Sequence, residues 1–269
     1  AKLHAYTPGL QPTEPGWTKL NTNECPYPPS PLAIQAIQNA TSEDLRLYPD
    51  PNGTALKAAI ARHFGLGVDH VFLGNGSDEA IDLLYRAFCN PGKDNVILLP
   101  PTYGMYEVSA NINDVEIRKV ALTPDFQLQP DKILAAADAN SKILFICSPN
   151  NPSANKAKRE DILFLLENFK GLVVVDEAYI DFSDEASFTT ELDRFDFFLD
   201  NITDLGARVR FGNLAWPGFD GRIIKIGFFD DRPATESLIG TGVAIDFHTQ
   251  VHFVFKTLFG SSGQSQLQR

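Results

Sequence analysis

The sequence predicts an α/β fold with a doubly wound, mainly parallel sheet. Three observations carry this reading. Short apolar runs alternate with helix-period segments from residue 71 to 182, the rhythm of a parallel sheet layered by helices. The run Leu172–Val175 is apolar at every position, which suits a strand buried on both faces. It ends abruptly in Asp176 and Glu177, at the carboxyl end of a strand, where open α/β sheets bind their ligands.

Composition narrows the function. A chain of 269 residues fits one large domain or two smaller ones. With 43% hydrophobic and 21% charged residues it can bury a sizeable core and is not disordered by composition. A net charge of −11 argues against a basic surface for nucleic acid. No apolar run approaches the roughly 18 residues of a membrane-spanning helix, and AKLHAYTPG does not read as a signal peptide. Neither nucleic acid nor membrane is therefore expected as a partner. Cys25, Cys89 and Cys147 lack metal-type spacing. Cys89 and Cys147 lie in apolar runs and read as small core residues of a protein in a reducing cytoplasm.

Taken in order, residues 1–31 form an extended arm rich in Pro, Asn and Thr. Pro31 opens the helical pattern LAIQAIQNA at its favoured first-turn position. Leu47–Gly53 is turn chemistry, with Pro49 and Pro51 barring a helix, and Thr54–Phe64 has helical spacing. Val71–Leu73 is a strand running into GNGSDE (Gly74–Glu79) and then an amphipathic helix through Ala80, Ile81, Leu84, Tyr85 and Phe88. Strand, glycine loop and helix together present backbone N–H groups to an anion. Ser77 is placed to cap that helix. The dinucleotide fingerprint is excluded, because Glu79 stands where its third glycine belongs. The motif by itself fits either a phosphate site or an ordinary capped helix start.

Asn95–Pro100 is a second buried strand, followed by Tyr103, whose ring suits either packing or stacking on a flat ligand. Strands are expected at Val115–Ala121 and Lys142–Cys147, with a helix near Pro130–Asp138 between them. SPNNPSAN (Ser148–Asn155) falls at another carboxyl end, and a helix over Lys158–Phe169 leads into the Leu172 run. Ser77, Tyr103, Asn151 and Asp176 are thus expected on one rim. The alternation breaks after about Asp196, where a short helix, a strand near Arg210, a second strand within Gly221–Phe229 and a strand-like VHFVFKTLF are expected. His248 and His252 would share a helix face, but Val251, Phe253 and Phe255 alternate as in a strand, so no metal is expected.

In their order and spacing, LNTNECPYPPSP, YPDPNG, GNGSDE, PPTYGMYEVS, SPNNPSAN and VVVDEAYIDF resemble the histidinol-phosphate aminotransferases, part of the pyridoxal-phosphate (PLP) aminotransferase fold family. The resemblance runs from about Leu20 to Phe195 and weakens beyond. It implies an N-terminal arm (1–31), a large PLP-binding domain (32–196), here incomplete, a small α+β C-terminal domain (197–259) and a tail (260–269). It implies a cytoplasmic homodimer that passes the amino group of histidinol phosphate, a phosphorylated amino alcohol, to 2-oxoglutarate. The products would be imidazole acetol phosphate and glutamate, in histidine biosynthesis.

The resemblance also assigns residues. Asp176 matches the carboxylate that pairs with the PLP ring nitrogen, Tyr179 and Asn151 the groups on the ring 3-oxygen, and Tyr103 the residue stacked on the ring. Gly76, Ser77 and Asp78 match the cofactor-phosphate loop, and Tyr48 a tyrosine that reaches that phosphate from the neighbouring subunit. Asn23 and Tyr27 belong to the arm over the substrate. Arg210 and Arg222 resemble two substrate-binding arginines, a role that guanidinium geometry suits. The sequence departs from the family at Cys25, in place of Asn, and at Ser153-Ala154, in place of Thr-Gly. Gly227 stands five residues after Arg222 rather than four. The S-K-x-x-G-L-A-G segment, whose lysine forms the Schiff base with PLP, has no counterpart; beyond Asp176 the lysines are Lys225 and Lys256. The alternative is a non-catalytic derivative that at most binds PLP or phosphate.

Overall fold

The computed structural model describes residues 9–192, 194, 223–228 and 251–254. Arg210, Arg222, Lys256, both the helix and the strand expected between 196 and 210, and the tail 260–269 lie outside the described residues.

The helices are α1 (Pro31–Ala40), α2 (Thr54–Phe64), α3 (Gly76–Phe88), α4 (Met105–Ile112), α5 (Pro130–Ala136) and α6 (Arg159–Asn168). The strands are β1 (Val71–Gly74), β2 (Asn95–Leu98), β3 (Glu116–Lys119), β4 (Ser141–Cys147), β5 (Leu172–Asp176), β6 (Ile223–Phe228) and β7 (Val251–Val254). These strands form one sheet in the order β1-β7-β6-β5-β4-β2-β3. β3, β2, β4, β5 and β6 run parallel, and β7 lies antiparallel to both of its neighbours. The α/β expectation holds. Both β6 and β7 fall inside the stretch expected to form a small domain, 197–259, and both join the main sheet.

Two local expectations need correction. Met105–Ile112 is helical, where no helix was expected before the strand at Val115. Ser77 does not cap α3: the helix already begins at Gly76, Asn75 holds the cap position, and Ser77 is buried inside the first turn. Gly76 makes this possible by taking a φ of +76°, a region costly for a residue with a Cβ. Glu79 secures the turn by accepting hydrogen bonds from the backbone N–H and the side-chain amide of Asn75.

Strand periodicity divides the core into two layers. Ile143 and Phe145 of β4 and Leu172 and Val174 of β5 pack on α3 and α4 through Ile81, Leu84, Tyr85, Tyr106 and Ala110. Leu144, Ile146, Val173 and Val175 point the other way, onto Ile133 of α5 and Ile162, Leu165 and Leu166 of α6. Covering both faces explains why the central strands carry no polar position until their ends. Each such side chain contributes about 1.5–3 kcal/mol by leaving water. Gly171 lets β5 start close to β4, since a Cβ there would stand 2.5 Å from the Lys142 carbonyl oxygen.

Candidate active site

The site grows from the end of β5. Continuing the strand's alternation puts Asp176 on the α3–α4 face and Glu177 on the opposite one. Both are almost fully buried, at 2% and 1% exposure. Their surroundings give them different work. Glu177 accepts hydrogen bonds from the Ser187 hydroxyl (2.6 Å) and the Phe188 amide (3.0 Å), fastening the segment after β5 to the α6 side of the sheet. Asp176 accepts the Tyr106 hydroxyl on Oδ2 (2.5 Å) and the Ala178 amide on Oδ1 (3.0 Å), and it lines an open pocket. Burial pushes its carboxyl up to about 6, against the pull of those two donors; the nearby charges of Glu177 and Asp78 add to the rise.

Ser77, Tyr103, Cys147, Asn151, Asp176, Ala178 and Tyr179 line the pocket. The parallel strands explain this convergence, because β1, β2, β4 and β5 all deliver their following segments to one edge. Ser77 comes from the first turn of α3, whose leading amides have no acceptor within the helix. Tyr103 donates from its hydroxyl to Asp78 Oδ1 (3.0 Å). The loop bearing Asn151 is held by its neighbour Asn150, which accepts from the Thr102 hydroxyl (3.1 Å) and donates to the Pro101 carbonyl (3.0 Å) and the Ser153 hydroxyl (2.6 Å). Cys147 pairs with Asp176 in the β4–β5 register, and burial pushes its thiol far up, which disfavours a nucleophilic role.

Among the described residues of the arm, Asn23 reaches this rim. The Asn23 side-chain amide donates to the Tyr179 hydroxyl oxygen (2.8 Å). Burial raises the Tyr179 phenol above its ordinary value, and the Asn23 bond opposes that rise. Tyr27 and Tyr48 are 78% and 92% exposed and are not among the lining residues. The pocket therefore brings together Ser77, Tyr103, Asn151, Asp176 and Tyr179, with Gly76 and Asp78 beside Ser77. Sequence reasoning missed Tyr106, Ala178, Asn150 and the pocket-facing part of Cys147. The i, i+3 spacing of Tyr103 and Tyr106 was the available signal, once α4 is granted. No cluster of His, Cys, Asp and Glu able to hold a metal occurs among the described residues.

A buried carboxylate backed by two donors, a neighbouring pair of phenols, an amide and a helix start suits a flat, partly cationic ring that also carries an anionic group. Comparisons with known proteins point the same way. The family model described as aminotransferase class I and II matches residues 15–204. A histidinol-phosphate aminotransferase of Flavobacterium johnsoniae is 54% identical over 164 residues, covering 61% of this chain and 47% of the relative. That of Cytophaga hutchinsonii is 51% identical over 176 residues, covering 65% and 48%. The chain thus spans about half the length of the curated relatives it matches. Among solved structures, a putative histidinol-phosphate aminotransferase from Erwinia carotovora atroseptica superposes with a TM-score of 0.64 at 22% identity, over 87% of this chain and 60% of that one. An aspartate aminotransferase from Thermotoga maritima gives 0.61 at 20% identity, over 87% and 56%. These two likenesses speak to the fold alone.

Proposed function

The chain belongs to the class I and II aminotransferases, and from that premise we propose that its pocket holds pyridoxal phosphate for amino-group transfer on histidinol phosphate. One observation carries the reading: five residues delivered by four strand ends line a single pocket that contains a buried carboxylate. Bound there, PLP supplies an electron sink for chemistry at the substrate α-carbon. Asp176 holds the proton on the ring nitrogen. Asn151 and Tyr179 donate to the ring 3-oxygen, Tyr103 covers the ring face, and the α3 start with Gly76, Ser77 and Asp78 takes the phosphate. Asn23 and Tyr27 contribute the arm over the substrate, and Arg210 and Arg222 bind its anionic groups, with glutamate and 2-oxoglutarate as the amino donor–acceptor pair.

The reading includes a homodimer in the cytoplasm. Tyr48 is almost wholly exposed on its own subunit, as a residue serving a partner's phosphate site must be. Leu32, Ile34, Leu45 and Leu47, on and near α1, are exposed as well, apolar surface of the kind that a second subunit covers. No helix among the described residues is long and apolar enough to cross a membrane.

A second reading is favoured by the composition of the pocket wall. Among the described residues, no lysine lines it. A chain so built binds PLP noncovalently and does not turn over, because the lysine that would anchor the cofactor and shuttle the proton is missing. Titration with PLP, followed by borohydride and intact mass, separates the two. An adduct fixed on Lys225 or Lys256 supports turnover; saturable binding without an adduct supports the second reading; no saturable binding rejects both. Asp176→Ala should abolish PLP binding, and retained affinity would remove Asp176 from the cofactor site.

A further inference from the structure

We propose that Tyr106 is a positioning residue for Asp176: its buried hydroxyl grips one carboxylate oxygen from behind, keeps the group ionised and leaves it directed into the pocket. This rests on the reading of Asp176 as the partner of a cationic ring nitrogen. Tyr106 is 0% exposed and donates to Asp176 Oδ2 at 2.5 Å, within the range of hydroxyl–carboxylate bonds.

Its placement is constrained on several sides. The ring stacks on Phe145 of β4, with centroids 4.7 Å apart and planes 18° apart. Tyr103 meets it edge-on at 5.6 Å and 86°. The Tyr85 hydroxyl, from α3, donates to the Tyr106 carbonyl at 2.8 Å. The hydroxyl thus cannot swing away without disturbing a packed aromatic layer that joins α3, α4 and β4. Burial, reinforced by the charge of Asp176, pushes the phenol well above its ordinary value, so it stays a donor wherever the protein folds. The Ala178 amide serves the other oxygen. Among the described residues each oxygen then has one hydrogen-bond donor, and a carboxylate retains capacity for a ligand donor in the pocket.

Other groups also act on Asp176. Asp78 from α3, Cys147 from β4, and Glu177 and Tyr179 from its own segment face or adjoin it. β6, on the remaining side, pairs Ile226 with Asp176 in the backbone register. Against the charges of Glu177 and Asp78, the Tyr106 hydroxyl and the Ala178 amide favour the ionised form.

The test compares wild type with Tyr106→Phe, which keeps the ring and its stack. Urea stability of the cofactor-free full chain is followed against pH, with Asp176→Asn as the reference lacking the titration. In wild type the contribution of Asp176 is lost as pH rises through about 6. A hydrogen bond to a buried charge corresponds to about one to two pH units, so Tyr106→Phe should move that inflection upward by this amount. PLP affinity at pH 7 should fall by about 2- to 10-fold, recovering at higher pH. Tyr85→Phe, which loosens Tyr106 without touching Asp176, should shift the inflection the same way by less. An inflection that stays in place in Tyr106→Phe, or that persists in Asp176→Asn, overturns the proposal. Wild type that fails to bind PLP overturns the cofactor reading instead, and the stability inflection still decides the role of Tyr106.

Discussion

Asp176 concentrates the electrostatic cost of the pocket. Its carboxyl is raised from 3.8 to about 6, so the folded cofactor-free chain binds a proton more tightly at this group than the unfolded chain does. The sign follows directly. Stability from this group is fully present below about pH 4 and is lost as pH rises through about 6, on the order of 3 kcal/mol in all. Asp176→Asn should flatten that part of the stability profile and leave the cofactor-free protein more stable at pH 7, checked by urea unfolding at several pH values. A ligand carrying a protonated nitrogen should reverse the cost, so PLP affinity should climb between pH 5 and 7 in wild type and show no such climb in Asp176→Asn. Ala154 offers a second residue-scale check. It occupies a left-handed conformation, φ +60°, at the position where the resembled family has glycine. Ala154→Gly should therefore stabilise the chain by about 0.5–1 kcal/mol, measured by thermal unfolding, with the Asn150 anchor intact.

At the scale of elements, the end of β5 and its two carboxylates determine what the sheet edge can do. Glu177 serves structure, and Asp176 serves the pocket. Glu177→Ala should cost about 1.5–3 kcal/mol by unpairing the Phe188 amide and the Ser187 hydroxyl, while PLP affinity per folded molecule stays near wild type. Gly171→Ala should destabilise by about 1–3 kcal/mol, since its Cβ would collide with the backbone carbonyl of Lys142. Circular dichroism melts would register both. Most elements were legible because their signals are local: Pro31 opens a helix, helical spacing marks Thr54–Phe64, and apolar runs mark strands. Helix α4 escaped because PPTYGMYEVS opens with two prolines and a glycine, residues that disfavour a helix interior. Packing of Tyr106 and Ala110 against the sheet makes it helical, a tertiary contribution that propensity does not contain.

At the scale of the molecule, Leu32, Ile34, Leu45, Leu47 and Tyr48 are exposed, and the proposed homodimer would cover them. On the proposed homodimer, sedimentation should give a species of twice 29.7 kDa, and Ile34→Asp should shift it toward one chain of 29.7 kDa. The sequence by itself determined the alternation of strands and helices, the apolar centre of the sheet and the rim residues Ser77, Tyr103, Asn151 and Asp176, because periodicity and strand ends are properties of neighbours along the chain. It also sufficed for the family, through motifs in fixed order. Only the tertiary structure decided that β6 and β7 enter the main sheet, that Asn23 meets Tyr179, and that Glu177 turns away while Asp176 is backed by Tyr106. Those outcomes depend on groups far apart in sequence. Which donor satisfies a buried carboxylate is settled by whatever side chain the packed layers bring within hydrogen-bond reach.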